Sequence, residues 1–182
     1  LLANDLFLTA LRQAPVAALL SEELHEPIVV HEDAPLVVAI DPLDCSSNFD
    51  TNVSIGTIFS VLPKVEGAGD LKTHFLQPGR AQLAAGFFIY GPQTALVLAF
   101  AERTRVFILD RRMARLVEAI ATVESSDDSS EYAINASNYR HGAPSIRAFI
   151  DEVVKGTEGP LRRNHNMRWI ASRASEAYRI LN

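Results

Sequence analysis

The sequence predicts an α+β fold in which a mostly antiparallel sheet is followed by the start of an α/β domain. Apolar segments of strand length succeed one another as far as Ile120. Some are joined by short turns, such as Gly91-Pro92-Gln93, which favour antiparallel hairpins. After the polar run Glu124–Glu131 the pattern changes to one strand and two helical segments. The chain is therefore expected to contain a sheet domain and a second domain with one strand and two helices.

The predicted elements of the first domain follow in chain order. A helical pattern comes first, with Asn4 as a possible cap and with most of its apolar residues on one face: Leu2, Leu6, Leu8 and Leu11. Strands are then predicted for the segments VAALL, LVVAI, SIGTIFSVLP, QLAAGFFIYG, TALVLAFA, TRVFILD and ARLVEAI. Because these segments are short and closely spaced, we expect a meandering sheet.

The second domain is predicted from residue 129 to residue 182, so that the sheet domain spans residues 1–128. It begins with the strand YAINAS and continues with two helical patterns, PSIRAFIDEVVK and NMRWIASRASEAYRIL. Both termini fall inside a helical pattern. The sequence therefore predicts the middle of a longer protein, truncated at both ends.

Composition limits the classes of partner. The 182 residues are 48% hydrophobic and 21% charged, enough apolar content for a buried core. A net charge of -5 argues against nucleic acid and anionic membranes as partners. A single cysteine cannot form an internal disulfide, and no segment has the length of a membrane span. We expect a soluble, cytoplasmic protein.

Acidic residues follow the first two predicted strands. Glu22 and Glu23 come after VAALL, and DPLDCSSN begins with Asp41 directly after LVVAI. Carboxylates that meet at neighbouring strand ends suit a hard cation such as Mg²⁺, and the Leu43 carbonyl could join Asp41 and Asp44 there. The backbone N–H groups and hydroxyls of CSSN could bind a phosphate. Spacing alone also permits a simple turn, with Asp44 and Ser46 capping a short helix and with solvated glutamates.

The segment DPLDCSSN resembles the metal-binding motif Asp-Pro-Leu-Asp-Gly-Ser-Ser-Asn of the class 1 fructose-1,6-bisphosphatases. The resemblance extends through SEE, VSIGTIF, LQPGR, AAGFFIYG, YAINASNY and MRWIAS, which occur in the order and at about the spacing of that family. It implies the layered α-β-α-β-α fold of the sugar phosphatases. It also implies metal-dependent hydrolysis of the 1-phosphate of fructose 1,6-bisphosphate in gluconeogenesis or the Calvin cycle, by a homotetramer.

The resemblance also implies roles for individual residues. Two or more Mg²⁺ or Mn²⁺ ions would be bound by Glu22, Asp41, the Leu43 carbonyl and Asp44. Glu23 would orient or deprotonate the attacking water. Asp44 would also contact the reacting phosphate, together with Cys45, Ser46 and Ser47. The 6-phosphate end of the substrate would be contacted by Asn135, Tyr139 and Arg168, the last from a neighbouring subunit.

The sequence departs from the family motif at one position of the predicted site and leaves other functions open. Cys45 stands where the family has glycine, which puts the activity of this chain in question because a side chain there can crowd the phosphate. An inositol-monophosphatase-like phosphatase and a non-catalytic relative of the family are the alternatives. A cysteine phosphatase is disfavoured because no arginine lies within the five residues after Cys45.

Overall fold

The computed structural model describes residues 2–124, 126 and 128–181. The chain divides between Val123 and Glu124, and again between Ala171 and Ser172, into two compact units. The first unit contains the sheet together with α-helical segments near the beginning and the end of the chain, and the second contains the segment between the two divisions. The last helix, which the sequence places in the second domain, therefore packs in the first unit. The boundary predicted at residue 129 stays a prediction.

In the part of the chain that the structure describes, the first unit contains two α-helices and eight strands. Helix α1 covers Leu2–Leu11 and helix α3 covers Arg173–Leu181. The strands are β1 (Val16–Ser21), β2 (Ile28–Val29), β3 (Leu36–Asp44), β4 (Ile55–Pro63), β5 (Ala84–Tyr90), β6 (Thr94–Phe100), β7 (Arg103–Asp110) and β8 (Arg115–Ile120). Each strand predicted for the first domain is present, and the short β2 is an addition.

The eight strands form one sheet in the order β2-β1-β3-β4-β5-β6-β7-β8. Strands β3 to β8 form an antiparallel meander, as the short connections predict. Strands β1 and β3 are parallel neighbours, because the chain passes through the edge strand β2 before it returns. The sheet is therefore mostly antiparallel, with one parallel pair.

The core lies on both faces of this parallel pair. On one face Val16, Leu19, Val38 and Ile40 pack together beneath α1. On the opposite face a second group packs together: Ala17, Ala18, Val37 and Leu62. Because β1 is buried on both faces, its apolar residues are continuous rather than alternating.

Among its described residues, the second unit contains short strands and one α-helix. Strands β9 (Glu131–Tyr132) and β10 (Asn166–Met167) pair in parallel. Helix α2 covers Pro144–Val154, with Pro144 at its first turn, where the missing N–H costs nothing. Short 3₁₀ turns cover Ala136–His141 and Gly156–Glu158.

Three local predictions were wrong. The segment NMRWIASRASEAYRIL is not one helix, because Asn166–Met167 forms a strand and Ala171 has a φ of 58°, which a right-handed helix cannot contain. The strand predicted for YAINAS ends at Tyr132. Asn4 is no cap, because α1 begins at Leu2 and Asn4 is buried within it.

Some predictions concern residues outside the described part of the chain. The predicted linker Glu124–Glu131 includes Ser125 and Asp127, which are not described. The first residue of the predicted sheet domain, Leu1, and the last residue of the predicted second domain, Asn182, are not described either. Within the described residues, no helix is long and apolar enough to cross a membrane.

Candidate metal and phosphate site

The parallel pairing of β1 and β3 brings their acidic ends together. Ser21 at the end of β1 is in register with Ile40 of β3. The next residue, Glu22, continues the pairing, since its backbone N–H donates to the Ile40 carbonyl at 3.0 Å. The following N–H, of Glu23, donates to the Oγ of the buried Ser21 at 3.3 Å. Both glutamates are thereby fixed beside Asp41, the residue after Ile40.

A β-bulge in β3 sets the direction of the aspartates. The pairing with β4 shifts by one residue between Asp41 and Asp44. Without the bulge, residues three apart in a strand would face opposite sides of the sheet. With one extra residue the two aspartates line the same cavity. Pro42 lies in the bulge, and its carbonyl accepts a hydrogen bond from the buried Thr57 hydroxyl at 3.0 Å.

The Asp44 carboxylate is buried and holds the start of α3. Its Oδ2 accepts hydrogen bonds from the Ser172 hydroxyl and from the Ala174 backbone N–H, both at 3.0 Å. The Ser172 Oγ in turn accepts from the Ser175 backbone N–H at 3.2 Å, as a helix N-cap does. Asp44 therefore anchors α3 to the end of β3 and does not cap the short turn that follows it.

Cys45 connects β3 to a 3₁₀ turn at Ser46–Asn48. Its φ of 60° and ψ of 54° are left-handed, the conformation that glycine adopts without strain. The Cys45 Sγ lies 3.6 Å from Asp44 Oδ1. Burial, followed by the Asp44 charge, raises the pKa of the Cys45 thiol. This thiol is therefore a poor nucleophile, which argues against a cysteine phosphatase.

These residues surround one cavity of about 350 Å³. Its lining comprises Glu22, Glu23, Asp41, Leu43, Asp44, Cys45, Ser46, Ser47 and Arg173. Each residue that the sequence assigned to the metal ions, the water and the reacting phosphate is present. Arg173 is an addition, and it brings a single positive charge to a cavity with four carboxylates.

Two of the carboxyl groups are close enough to interact strongly. The Asp41 side chain is only 16% exposed, and its carboxyl group is near enough to that of Glu22 to feel its charge. Burial, then the neighbouring Glu22 carboxyl group, raise the pKa of Asp41 to about 6. The Leu43 backbone N–H donates to Asp41 Oδ1 at 3.1 Å, which opposes this shift. Two crowded carboxyl groups with a raised pKa form an electrostatically unfavourable pair unless a cation joins them.

The Glu22–Asp41 pair suits a divalent cation. Carboxylate and carbonyl oxygens are the ligands that Mg²⁺ prefers, and Mg²⁺ commonly takes only one or two carboxylates from the protein. Among the described residues, no group of three or more His, Cys, Asp or Glu side chains is arranged to hold a metal ion. The third predicted ligand, Asp44, already accepts two hydrogen bonds at Oδ2. Glu22 and Asp41 are therefore the side chains that we consider as ligands of a divalent cation.

The remaining predicted residues lie in the second unit. The Asn135 side chain accepts a hydrogen bond from the Ser137 backbone N–H at 3.2 Å and caps the turn that contains Tyr139. The Tyr139 hydroxyl donates to the Asp151 carboxylate at 2.8 Å, and Arg168 pairs with Glu131 at 3.0 Å. The roles of Asn135, Tyr139 and Arg168 in substrate binding stay predictions.

Two residues in or beside the cavity, Ser172 and Arg173, were not predicted from the sequence as part of it. Ser172 was placed inside a helix, although a serine before the pattern RASEAYRIL is a typical N-cap signal. Arg173 was not assigned to the site from the sequence. Because α3 begins at Arg173 and is anchored by Asp44, this side chain lies at the rim of the cavity.

Comparisons with known proteins agree with this geometry. The family model described as "Fructose-1-6-bisphosphatase, N-terminal domain" matches residues 1–119. Proteins named fructose-1,6-bisphosphatase class 1 from Sinorhizobium medicae and Rhizobium meliloti are 54% and 55% identical over 182 residues. In both cases 100% of this chain is covered, and 52% of the relative.

A crystal structure of Leishmania major fructose-1,6-bisphosphatase in apo form matches with a TM-score of 0.89 and 26% identity. The match covers 98% of this chain and 59% of the other. This chain thus spans about half the length of the curated relatives that it matches. The predicted sugar phosphatase fold is confirmed, and the chain belongs to the class 1 fructose-1,6-bisphosphatase family.

Proposed function

We propose that this chain carries the part of a phosphatase active site that binds the metal and the reacting phosphate. The enzyme would hydrolyse the 1-phosphate of fructose 1,6-bisphosphate, giving fructose 6-phosphate and phosphate. The observation that carries the proposal is the convergence of Glu22, Glu23, Asp41 and Asp44 with the Ser46–Ser47 turn on one cavity. Relatives at 54% and 55% identity bear the name of this activity and support the choice of substrate.

The carboxylates would bind the metal that the family resemblance implies, Mg²⁺ or Mn²⁺. Glu22 and Asp41 would hold it, with the Leu43 carbonyl beside them; the number of ions remains a prediction. When bound, such an ion polarises the phosphate, lowers the pKa of a water and stabilises the leaving oxygen. The protein itself supplies a position for each group, because the strand ends and the bulge are fixed by backbone pairing.

The residues after Asp44 would hold the phosphate. The first N–H groups of a helical turn have no partner within the turn, and Ser46 and Ser47 begin the turn at Ser46–Asn48. Their N–H groups and hydroxyls can donate to phosphate oxygens. Glu23 would accept a proton from the attacking water, and its position is set by the hydrogen bond from its backbone N–H to the Ser21 hydroxyl.

The resemblance also supports proposals about the far end of the substrate, the assembly and the pathway. Asn135, Tyr139 and Arg168 would bind the far phosphate of the sugar, and the functional assembly would be a homotetramer. Their support is the resemblance of NASNY and MRWIAS to the family blocks. Assignment to gluconeogenesis or to the Calvin cycle, and a cytoplasmic location, also remain predictions.

The substrate can be tested in a hybrid protein. Residues 1–182 would replace the matching region of the Sinorhizobium medicae relative, which aligns with the whole chain. Fructose 6-phosphate and phosphate would be measured after adding fructose 1,6-bisphosphate with Mg²⁺ or Mn²⁺. We expect both products in equal amounts, and slower release from inositol 1-phosphate. Preference for inositol 1-phosphate would favour the inositol-monophosphatase-like alternative. If the hybrid folds but neither substrate is hydrolysed, the non-catalytic alternative holds.

A further inference from the structure

The cavity contains one cationic side chain, and it faces a predicted metal ligand. The Arg173 Nη1 atom lies 3.9 Å from Asp41 Oδ2. The Asp41 side chain is 16% exposed and the Arg173 side chain 75% exposed. The guanidinium thus reaches from solvent toward one carboxyl group of the crowded Asp41–Glu22 pair. A positive charge at this distance offsets part of the repulsion between the two carboxylates.

The backbone of Arg173 is fixed, whereas its side chain is free to rotate. Ser172 on one side and Ala174 on the other both donate hydrogen bonds to Asp44 Oδ2. The base of the side chain is therefore held at the cavity rim. An arginine side chain has several rotatable bonds, and an exposed ion pair holds it only weakly.

From this geometry we propose that Arg173 competes with the divalent cation for Asp41, so that the guanidinium must leave the carboxylate when the cation binds. The inference depends on the metal-binding part of the proposed function. Glu22 and Asp41 cannot bring their oxygens to a cation while a guanidinium sits against Asp41 Oδ2, because the two positive charges repel each other. Arg173 thus weakens cation binding and acts as an internal counter-ion of the metal-free cavity.

The proposal predicts an increase in cation affinity when the charge is removed. Mn²⁺ binding to the purified 182-residue chain would be measured by the electron paramagnetic resonance signal of free Mn²⁺, without any substrate. In Arg173→Gln we expect about two- to fivefold tighter binding, the range that corresponds to an exposed ion pair. Arg173→Lys keeps the charge and should bind Mn²⁺ within about twofold of the unchanged chain.

A matched control separates local competition from overall charge. Arg111→Gln removes the same charge at an exposed position in the turn between β7 and β8, outside the cavity lining. It should leave Mn²⁺ affinity unchanged. Equal tightening in both glutamine variants, or unchanged or weaker binding in Arg173→Gln, would overturn the proposal.

The outcomes also distinguish this proposal from the proposed function. Measurable binding that is the same with and without Arg173 refutes the competition alone. No binding to the unchanged chain with clear binding to Arg173→Gln supports the competition in its strongest form. No binding to either protein refutes the competition and removes the assignment of Glu22 and Asp41 as metal ligands. Each variant would first be checked for the native circular dichroism spectrum.

Discussion

Asp44 and Ser172 are 128 residues apart in the sequence and are joined by a buried hydrogen bond of 3.0 Å. The contact ties the end of β3, where the acidic cavity lies, to the first turn of α3. A buried carboxylate is stable only when its oxygens are hydrogen-bonded, and Ser172 and Ala174 together satisfy Oδ2. The site therefore depends on a helix that is distant in the chain.

Ser172→Ala tests this dependence. The substitution removes a donor to a buried carboxylate and leaves the Ser175 N–H without its cap. We expect a loss of about 1–3 kcal/mol in the free energy of unfolding. Urea denaturation followed by circular dichroism would measure it. Ser130→Ala, at an exposed serine, should cost less than about 0.5 kcal/mol. Equal stability of the two variants would contradict the structural role of the Asp44–Ser172 bond.

Gly56 allows α3 to approach the sheet closely. A Cβ at Gly56 would lie 2.3 Å from the Ala174 Cβ and 2.6 Å from the Phe88 carbonyl oxygen. Gly56→Ala should therefore push Ala174 away from Asp44 and destabilise the chain by about 1–3 kcal/mol.

A second substitution separates the two clashes at Gly56. Adding Ala174→Gly removes the clash with the Ala174 Cβ and leaves the one with Phe88. We expect partial recovery of the urea midpoint in the double variant, compared with Gly56→Ala alone. If Gly56→Ala is as stable as the unchanged chain, the close packing of α3 on β4 is wrong.

Cys45 has a left-handed backbone conformation, so we can predict whether its replacement raises or lowers the stability of the chain. The left-handed conformation costs a non-glycine residue about 1–2 kcal/mol in the folded state. A glycine avoids this cost, but its greater freedom in the unfolded chain lowers the free energy of unfolding by about 0.4–1 kcal/mol. Cys45→Gly should therefore stabilise the chain by up to about 1 kcal/mol. Cys45→Val, which is β-branched, should destabilise it by more than about 1 kcal/mol.

The neighbouring Ser46 provides the control for Cys45. It begins the 3₁₀ turn and is not among the described residues with positive φ. Ser46→Gly should therefore lose about 0.5–1 kcal/mol, the opposite sign from Cys45→Gly. Urea midpoints of the three variants give the comparison. A destabilising effect of Cys45→Gly as large as that of Ser46→Gly would mean that Cys45 is not strained.

The raised pKa of Asp41 predicts a pH dependence of stability. Its pKa is about 6 in the folded chain, above the ordinary value of 3.8. Between these values the folded state binds more protons than the unfolded state, so the contribution of Asp41 to stability falls as pH rises from about 4 to about 6. Above this range the carboxylate is charged in both states, and the unfavourable contribution is complete.

Asp41→Asn measures this contribution because asparagine stays neutral. In EDTA, we expect the variant to be about 1–3 kcal/mol more stable than the unchanged chain at pH 7.5. At pH 4 the difference should be small. Titrating groups that do not interact with Asp41 contribute equally to both proteins and cancel in the difference, which therefore reports Asp41 together with its coupled neighbour. A stability difference that is independent of pH would show that Asp41 titrates normally.

Much of the fold could be predicted from local pattern. The strands of the meander have continuous or alternating apolar residues and short turns, which are local signals. Eight of the nine residues that line the cavity are predicted site residues, and they come together because Glu22, Glu23 and the DPLDCSSN segment follow two adjacent strands. The parallel pairing that makes those strands neighbours is non-local, so spacing alone did not predict it, and the resemblance to the family implied it.

The contribution of α3 could not be predicted in the same way. Its apolar pattern runs on from the MRWIAS segment, so the break at Ala171 is marked locally by the N-cap residue Ser172 but not by a change in the apolar pattern. The approach of Ala174 to Asp44 and Gly56 depends on a contact across about 120–130 residues of sequence, which periodicity does not report. The role of Arg173 follows from that approach and was missed with it.

The most direct test of the central claim is the Mg²⁺-dependent release of phosphate by the hybrid protein with and without Asp41→Asn. If Glu22 and Asp41 hold the catalytic cation, the unchanged hybrid should hydrolyse fructose 1,6-bisphosphate only when Mg²⁺ is present. The substitution should lower kcat/KM by at least about 100-fold while the fold is kept. A folded Asp41→Asn hybrid with the unchanged rate and the same dependence on Mg²⁺ would contradict the account.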